Sequence, residues 1–115
     1  MVRLRNQKDL DIIFEALASE HRREIIYMLS LQPYSISKLA NARDLSLPAI
    51  YKHIKILKIA KLVIERKMGR THFLSLNRDS LVILEEWLTQ YHPYWGNNKE
   101  TLKNYKKYLK GGDKK

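Results

Sequence analysis

A mainly α (α+β) domain, with five to six helices and a single two-stranded β-hairpin, is what this sequence predicts. Three observations carry it: apolar residues recur at helical spacing through the first half of the chain, the period drops from about 3.6 to 2 after Lys61, and helical spacing returns after Asn77. The 115 residues are 44% hydrophobic and 30% charged, enough apolar material for one modest core and too little for two. Three segments are expected: a basic arm at 1–8, the domain proper at 9–95, and a C-terminal helix with a lysine-rich tail at 96–115.

Leu10, Ile13, Phe14 and Leu17 fall on one helical face, and Asp9 and Asp11 suit the positive end of a helix dipole, which predicts a first helix over 9–18. Ser19 offers a hydroxyl cap for a second helix over 20–31, carrying Ile25, Ile26 and Leu29 and stopped by Gln32-Pro33. Ser35 caps a short third helix with Ile36, Leu39 and Ala40, and Asn41 to Leu45 reads as its end and a tight turn. Ser46, with Pro48 in the first turn where its missing N–H costs nothing, opens a fourth helix over 46–60 whose Ile50, Ile54 and Leu57 form a narrow apolar stripe. Two strands follow at 62–67 and 71–76, joined at Gly69-Arg70. Residues 77–80 then supply a cap region before Leu81, Val82, Ile83, Leu84, Trp87, Leu88 and Tyr91, a helix apolar around more of its circumference than one small core needs. After the break at 91–96, Asn97 to Glu100 resembles a capping box before a sixth helix over 98–110 that closes at Gly111-Gly112.

The net charge of +10 is unevenly placed. Residues 1–8 carry +3, residues 99–115 carry +5 and residues 46–70 carry +6, which leaves the rest of the chain four units negative. One basic block and two basic ends on an otherwise acidic chain form the electrostatic footprint of a nucleic-acid binder. The absence of cysteine excludes disulfides, thiolate metal sites, iron–sulfur clusters and thiol nucleophiles. No window has the roughly 20 apolar residues a spanning helix needs, and the first residues lack a secretory signal, so a soluble cytoplasmic protein without membrane contact is expected.

Three helices, the last two joined by a short turn, followed by a basic hairpin, make a winged helix-turn-helix, in which the second helix of the pair enters the major groove of double-stranded DNA. With Ile50, Ile54 and Leu57 turned inward, Pro48, Tyr51, Lys52 and Lys55 lie opposite, and Ser46 stands at the helix start. These are the candidate groove-facing residues, and Arg66, Lys67 and Arg70 on the hairpin are candidates for contacts to flanking DNA.

The stretches Leu17 to Ile26, Ser35 to Ala40 and Leu45 to Leu57, with Leu62-Val63 and Gly69-Arg70 behind them, resemble the ArsR-type winged-helix transcriptional regulators, across about residues 10–95. The resemblance implies a homodimer paired through its first and last helices, two recognition helices in successive major grooves, and repression relieved by a signal. It also implies a supporting role at the DNA site for His53, since the family carries histidine there. The chain departs from the family pattern at Leu47, where glutamine is usual, and at Tyr51, where serine is usual, so no operator sequence carries over.

Leu10, Phe14, Leu84, Trp87, Leu88, Tyr91 and Trp95 are the expected dimer interface. The aromatic C-terminal segment finishes that interface or lines a pocket for an unidentified small-molecule effector. Metal-sensing members of the family use cysteines or an Asp-x-His pair; this chain has no cysteine and reads Asp79-Ser80-Leu81, so neither a metal nor another cofactor is expected. No enzyme motif is present, and an enzyme is not expected. The competing reading is a non-specific architectural DNA- or RNA-binding module that relies on the lysine-rich ends. A protein-interaction adaptor would leave the groove-facing lysines unexplained.

Overall fold

The computed structural model describes residues 7–91 and 97–112. The order of elements is α1 (Gln7–Ala16), α2 (Glu20–Leu31), β1 (Tyr34–Ser35), α3 (Ile36–Ala42), α4 (Leu47–Ile59), β2 (Val63–Met68), β3 (Thr71–Leu76), α5 (Arg78–Thr89) and α6 (Asn98–Gly112). This is the expected mainly helical fold with a hairpin wing. Two details differ. The first helix starts and stops two residues early, and the sheet has three strands in the order β1-β3-β2 rather than two. The extra strand pairs Tyr34 with Leu74 and Ser35 with Phe73, and two residues are too few to show an alternating pattern in the sequence.

Serine hydroxyls start three of the helices. Ser19 accepts from Arg22 N at 3.4 Å, Ser35 from Lys38 N at 3.2 Å and Ser46 from Ala49 N at 3.3 Å, each satisfying an amide that the first helical turn leaves free. The core is one cluster in which Ile13, Ile25, Leu29, Ile36, Leu39, Leu62 and Leu74 surround Ile50, Ile54 and Leu57 of α4. Those three α4 side chains are at most 1% exposed. Leu10, expected at a dimer interface, is itself 2% exposed and so offers a partner no surface; the inner face of α1 claims it.

The turns on either side of α4 have one construction. After α3, Leu45 N donates to Ala40 O at 2.8 Å and Asp44 N to Asn41 O at 3.1 Å, with Asp44 at φ +55°. After α4, Leu62 N donates to Leu57 O at 3.0 Å and Lys61 N to Lys58 O at 2.9 Å, with Lys61 at φ +58°. Both are Schellman ends with a residue other than glycine in the left-handed position. The Lys61 carbonyl also accepts from Asn77 Nδ2 at 2.8 Å and from the buried Ser80 Oγ at 2.5 Å, so the start of α5 is tied to the end of α4.

In the hairpin Met68 faces Thr71, leaving a two-residue turn at Gly69-Arg70. Gly69 takes φ +65°, a left-handed value that the tight reversal requires and that glycine alone adopts without cost.

The left-handed backbone at Lys61 yields a prediction. Because a side chain in that region costs about 1 kcal/mol relative to glycine, Lys61→Gly should raise stability by about 1 kcal/mol in urea unfolding. A destabilised variant would show that the lysine side chain supplies more than the strain removes.

Candidate nucleic-acid interface

The buried stripe of α4 leaves its opposite side in solvent. Ser46, Leu47, Pro48, Tyr51, Lys52 and Lys55 are all exposed, with Tyr51 at 41%. The Ser46 oxygen is engaged as the helix cap, and Pro48 sits in the first turn as its missing N–H allows. Among the described residues, the side chains of Tyr51, Lys52 and Lys55 make no hydrogen bond or ion pair. Lys58, one turn further on, differs: its Nζ lies 2.9 Å from Glu65 Oε1 on β2. The other carboxylate oxygen, Glu65 Oε2, lies 2.9 Å from His72 Nδ1 on β3. The hydrogen bond from Lys58, above all, holds the Glu65 carboxyl below its ordinary 4.5, so it stays an acceptor shared between helix and wing.

Past Glu65 the wing carries Arg66, Lys67 and Arg70, all exposed and without an acidic partner among the described residues. Between helix and wing lies an open cleft of about 310 Å³ lined by Tyr51, Ile54, Lys55, Lys58, Ile59 and Glu65. Free cations thus occur on the outer side of α4 and on the hairpin, and the Lys58–Glu65–His72 link joins the two elements.

His53 is placed differently from its neighbours on α4. It is half-buried, its Nδ1 is 3.1 Å from Arg22 Nη1, and its ring centroid is 5.4 Å from that of His21. Arg22 extends further, donating from Nε to Ala16 O at 2.6 Å and from Nη2 to Glu15 O at 3.3 Å. One guanidinium therefore joins the end of α1, the start of α2 and the middle of α4. Beside it, Arg43 Nε donates to His21 Nδ1 at 3.2 Å, and Arg43 Nη1 lies 3.9 Å from Glu24 Oε1. His53 packs behind α4 rather than standing among the exposed residues of its outer face. Burial, then the nearby Arg22 and His21, lowers its pKa below 6.5. Its Nδ1 must be unprotonated to accept from Arg22, which puts the ring proton on Nε2. Sequence reading missed both polar clusters, because their members lie 7 to 31 positions apart and share no periodicity.

On the α1–α5 side, Phe14 and Trp87 meet edge to face at 4.9 Å, and Trp87 and Tyr91 do so at 5.2 Å. Phe14, Val82, Leu88 and Tyr91 remain exposed, while Leu84 and Trp87 are half-buried. Trp95 and His92 lie outside the described residues. Among the described residues no group of three or more His, Asp or Glu is placed to hold a metal ion, and no helix is long and apolar enough to cross a membrane.

This geometry has known counterparts. Residues 19–65 match the family model described as the bacterial regulatory protein, arsR family. An HTH-type transcriptional regulator of Mycobacterium tuberculosis is 33% identical over 81 residues, which cover 70% of this chain and 76% of that protein. The chain belongs to the ArsR family. The crystal structure of another ArsR family transcriptional regulator superposes on this ArsR-family chain with a TM-score of 0.72 at 30% identity, covering 83% of this chain and 96% of the other. The transcriptional repressor SdpR of Bacillus subtilis is 27% identical over 79 residues, 69% of this chain and 88% of its own length.

The lowered pKa of the histidine behind α4 predicts that this ArsR-family chain loses stability in mild acid. The unfolded chain takes up a proton at His53 before the folded chain does, so the contribution is complete above about 6.5 and is lost as pH falls towards the lower folded pKa. Glu65 acts in a separate, lower window, contributing above 4.5 and losing its effect as pH falls through its folded value. Between about pH 7 and pH 5 the midpoint of thermal unfolding should therefore drop, and His53→Gln, which keeps an acceptor for Arg22 without a titrating ring, should reduce the drop. Identical pH profiles for the two proteins would remove His53 as the cause.

Proposed function

We propose that this chain is a homodimeric, sequence-specific DNA-binding repressor acting in the cytoplasm, which seats α4 in the major groove and lays the β2–β3 hairpin on flanking DNA. The observation that carries the reading is the unpaired, exposed trio Tyr51, Lys52 and Lys55 on the outer face of a helix whose other face is wholly buried. A lysine left without an acidic partner is available to a phosphate, and Arg66, Lys67 and Arg70 extend the cationic surface along the wing. The name of the Bacillus subtilis relative, a transcriptional repressor, supports the sign of regulation. His53 enters only as the residue that orients the helix.

The dimer would use the exposed apolar surface of α1 and α5, where Phe14, Leu88 and Tyr91 flank Leu84 and Trp87. Contiguous apolar surface of this kind marks an interaction site. Two-fold pairing would place two α4 helices on an inverted repeat, about one helical turn of DNA apart. The division into an arm at 1–8, a DNA-binding domain at 9–95 and a C-terminal helix and tail at 96–115 belongs to the same proposal.

Fluorescence anisotropy on a duplex from the gene's own upstream region tests it. Affinity should fall by orders of magnitude between roughly 50 and 200 mM salt. Lys52→Ala with Lys55→Ala should weaken binding and reduce the salt slope by about one for each of the two lysines that meets a phosphate. Equal affinity for random and native duplexes would favour an architectural DNA- or RNA-binding role, and salt-insensitive binding would overturn the reading.

A further inference from the structure

Apart from Lys52 and Lys55, the outer face of α4 lacks the side chains that usually read base edges. Arginine, asparagine and glutamine recognise guanine or adenine through paired hydrogen bonds, and this face has none of them. Ser46 has its oxygen committed to the Ala49 amide. What remains at the N-terminal end, the part of a recognition helix that goes deepest into the groove, is Leu47 at 49% exposure, exposed Pro48, and Tyr51 at 41%. Leu47, Tyr51 and Lys55 follow one another at i, i+4 and i+8 and so form one ridge, apolar at its leading end and cationic behind; Pro48 and Lys52 form the adjacent row. Leu47 and Tyr51 each keep about half of their surface in solvent, and Tyr51 borders the open cleft beside the wing.

Exposed apolar groups at the tip of a groove-seated helix have one strongly complementary feature on the floor of the major groove, the 5-methyl group of thymine; the bases otherwise offer hydrogen-bond donors and acceptors there, with only the small C–H edge of cytosine in the place of that methyl. We propose that Leu47 and Tyr51, with Pro48 beside them, read thymine methyl groups, so that the half-site of the target is selected on the position of its thymines. Lys52 and Lys55, free of acidic partners, set the register on the phosphates or on a neighbouring guanine. The inference rests on the major-groove reading above and sharpens it from a cationic helix in the groove to a stated base and atom.

Uracil keeps the Watson–Crick face and the O4 acceptor of thymine and lacks only the methyl, so it isolates the proposed contact. The full-length protein is first used to select duplexes from a random pool. Thymine should be enriched at positions under the N-terminal end of α4, and each replacement of such a thymine by uracil should weaken binding about three- to five-fold, the effect of uncovering one methyl group. In Leu47→Ala and Tyr51→Ala the ratio of affinities for thymine and uracil should move towards one. Both positions are exposed, and circular dichroism melts confirm that the variants are folded before they are compared. Selected duplexes that bind specifically and yet tolerate uracil at every position would overturn the inference and leave the groove reading standing. A uracil penalty unchanged in both variants would overturn the assignment to these residues. Failure to select any sequence, with equal affinity for all duplexes, would instead count against the parent reading.

Discussion

Burial of Ile50, Ile54 and Leu57 decides what every other residue of α4 can do. Three side chains of this size, at most 1% exposed, contribute on the order of 1.5–3 kcal/mol each relative to exposure. The hydrogen bonds that Arg22 makes to Ala16, Glu15 and His53 contribute about 0.5–1.5 kcal/mol each and lie partly in solvent. Burial therefore sets the rotation of the helix about its own axis, and no rearrangement of surface charge could turn another face outward. The arginine acts more weakly and on a different variable. By joining three elements at one point, it fixes how α4 lies across α1 and α2 once the inner face is chosen.

The same comparison of magnitudes places the Lys58–Glu65–His72 link. Lys58 is half exposed, and ion pairs so close to solvent contribute about 0–1 kcal/mol, too little to hold a hairpin that already has a full ladder to β3 and a buried Val63 and Leu74. Its effect is selective rather than stabilising. Of the three lysines on α4, the one nearest the wing root is neutralised by a carboxylate, while Lys52 and Lys55 keep their charge unopposed. Positive potential is thereby concentrated on the outer part of the helix and on the hairpin beyond Glu65.

Local chemistry made most of this fold legible. The serine caps at 19, 35 and 46, the change of period after Lys61 and the glycine turn at 69 are each set by residues within a few positions of one another, and the structure places all of them where the sequence put them. What the sequence withheld was long-range or very short. Arg22 and His53 are 31 positions apart and meet only because α2 and α4 pack together. β1 has two residues and exists because β3 offers it an edge. Leu10 and Phe14 look alike on a helical wheel, and whether each faces the core or a partner depends on where α5 lies: Leu10 is enclosed, and Phe14, against Trp87, stays 41% exposed. At the site itself the outward face of α4 could be read from periodicity, whereas the inward turn of His53 required the neighbouring helix.

A surface meant to fit a rigid duplex gains from being ordered before it binds, since ordering at the moment of contact subtracts from affinity. The chain stops α4 firmly at both ends. Asp44 and Lys61 take left-handed backbone without being glycine, a conformation that persists only where the surroundings enforce it. At Lys61 the enforcement is visible, with Asn77 and Ser80 both bound to its carbonyl, and Leu62 N and Asn77 N closing the turn onto Leu57 and Leu62. The buried stripe fixes the rotation of the helix, Arg22 its placement, and these turns its length. Tyr51, Lys52 and Lys55 are thereby the free ends of a body whose other degrees of freedom are already fixed inside the protein, and Leu47 and Pro48 stand at the point of that body that would meet the bases first.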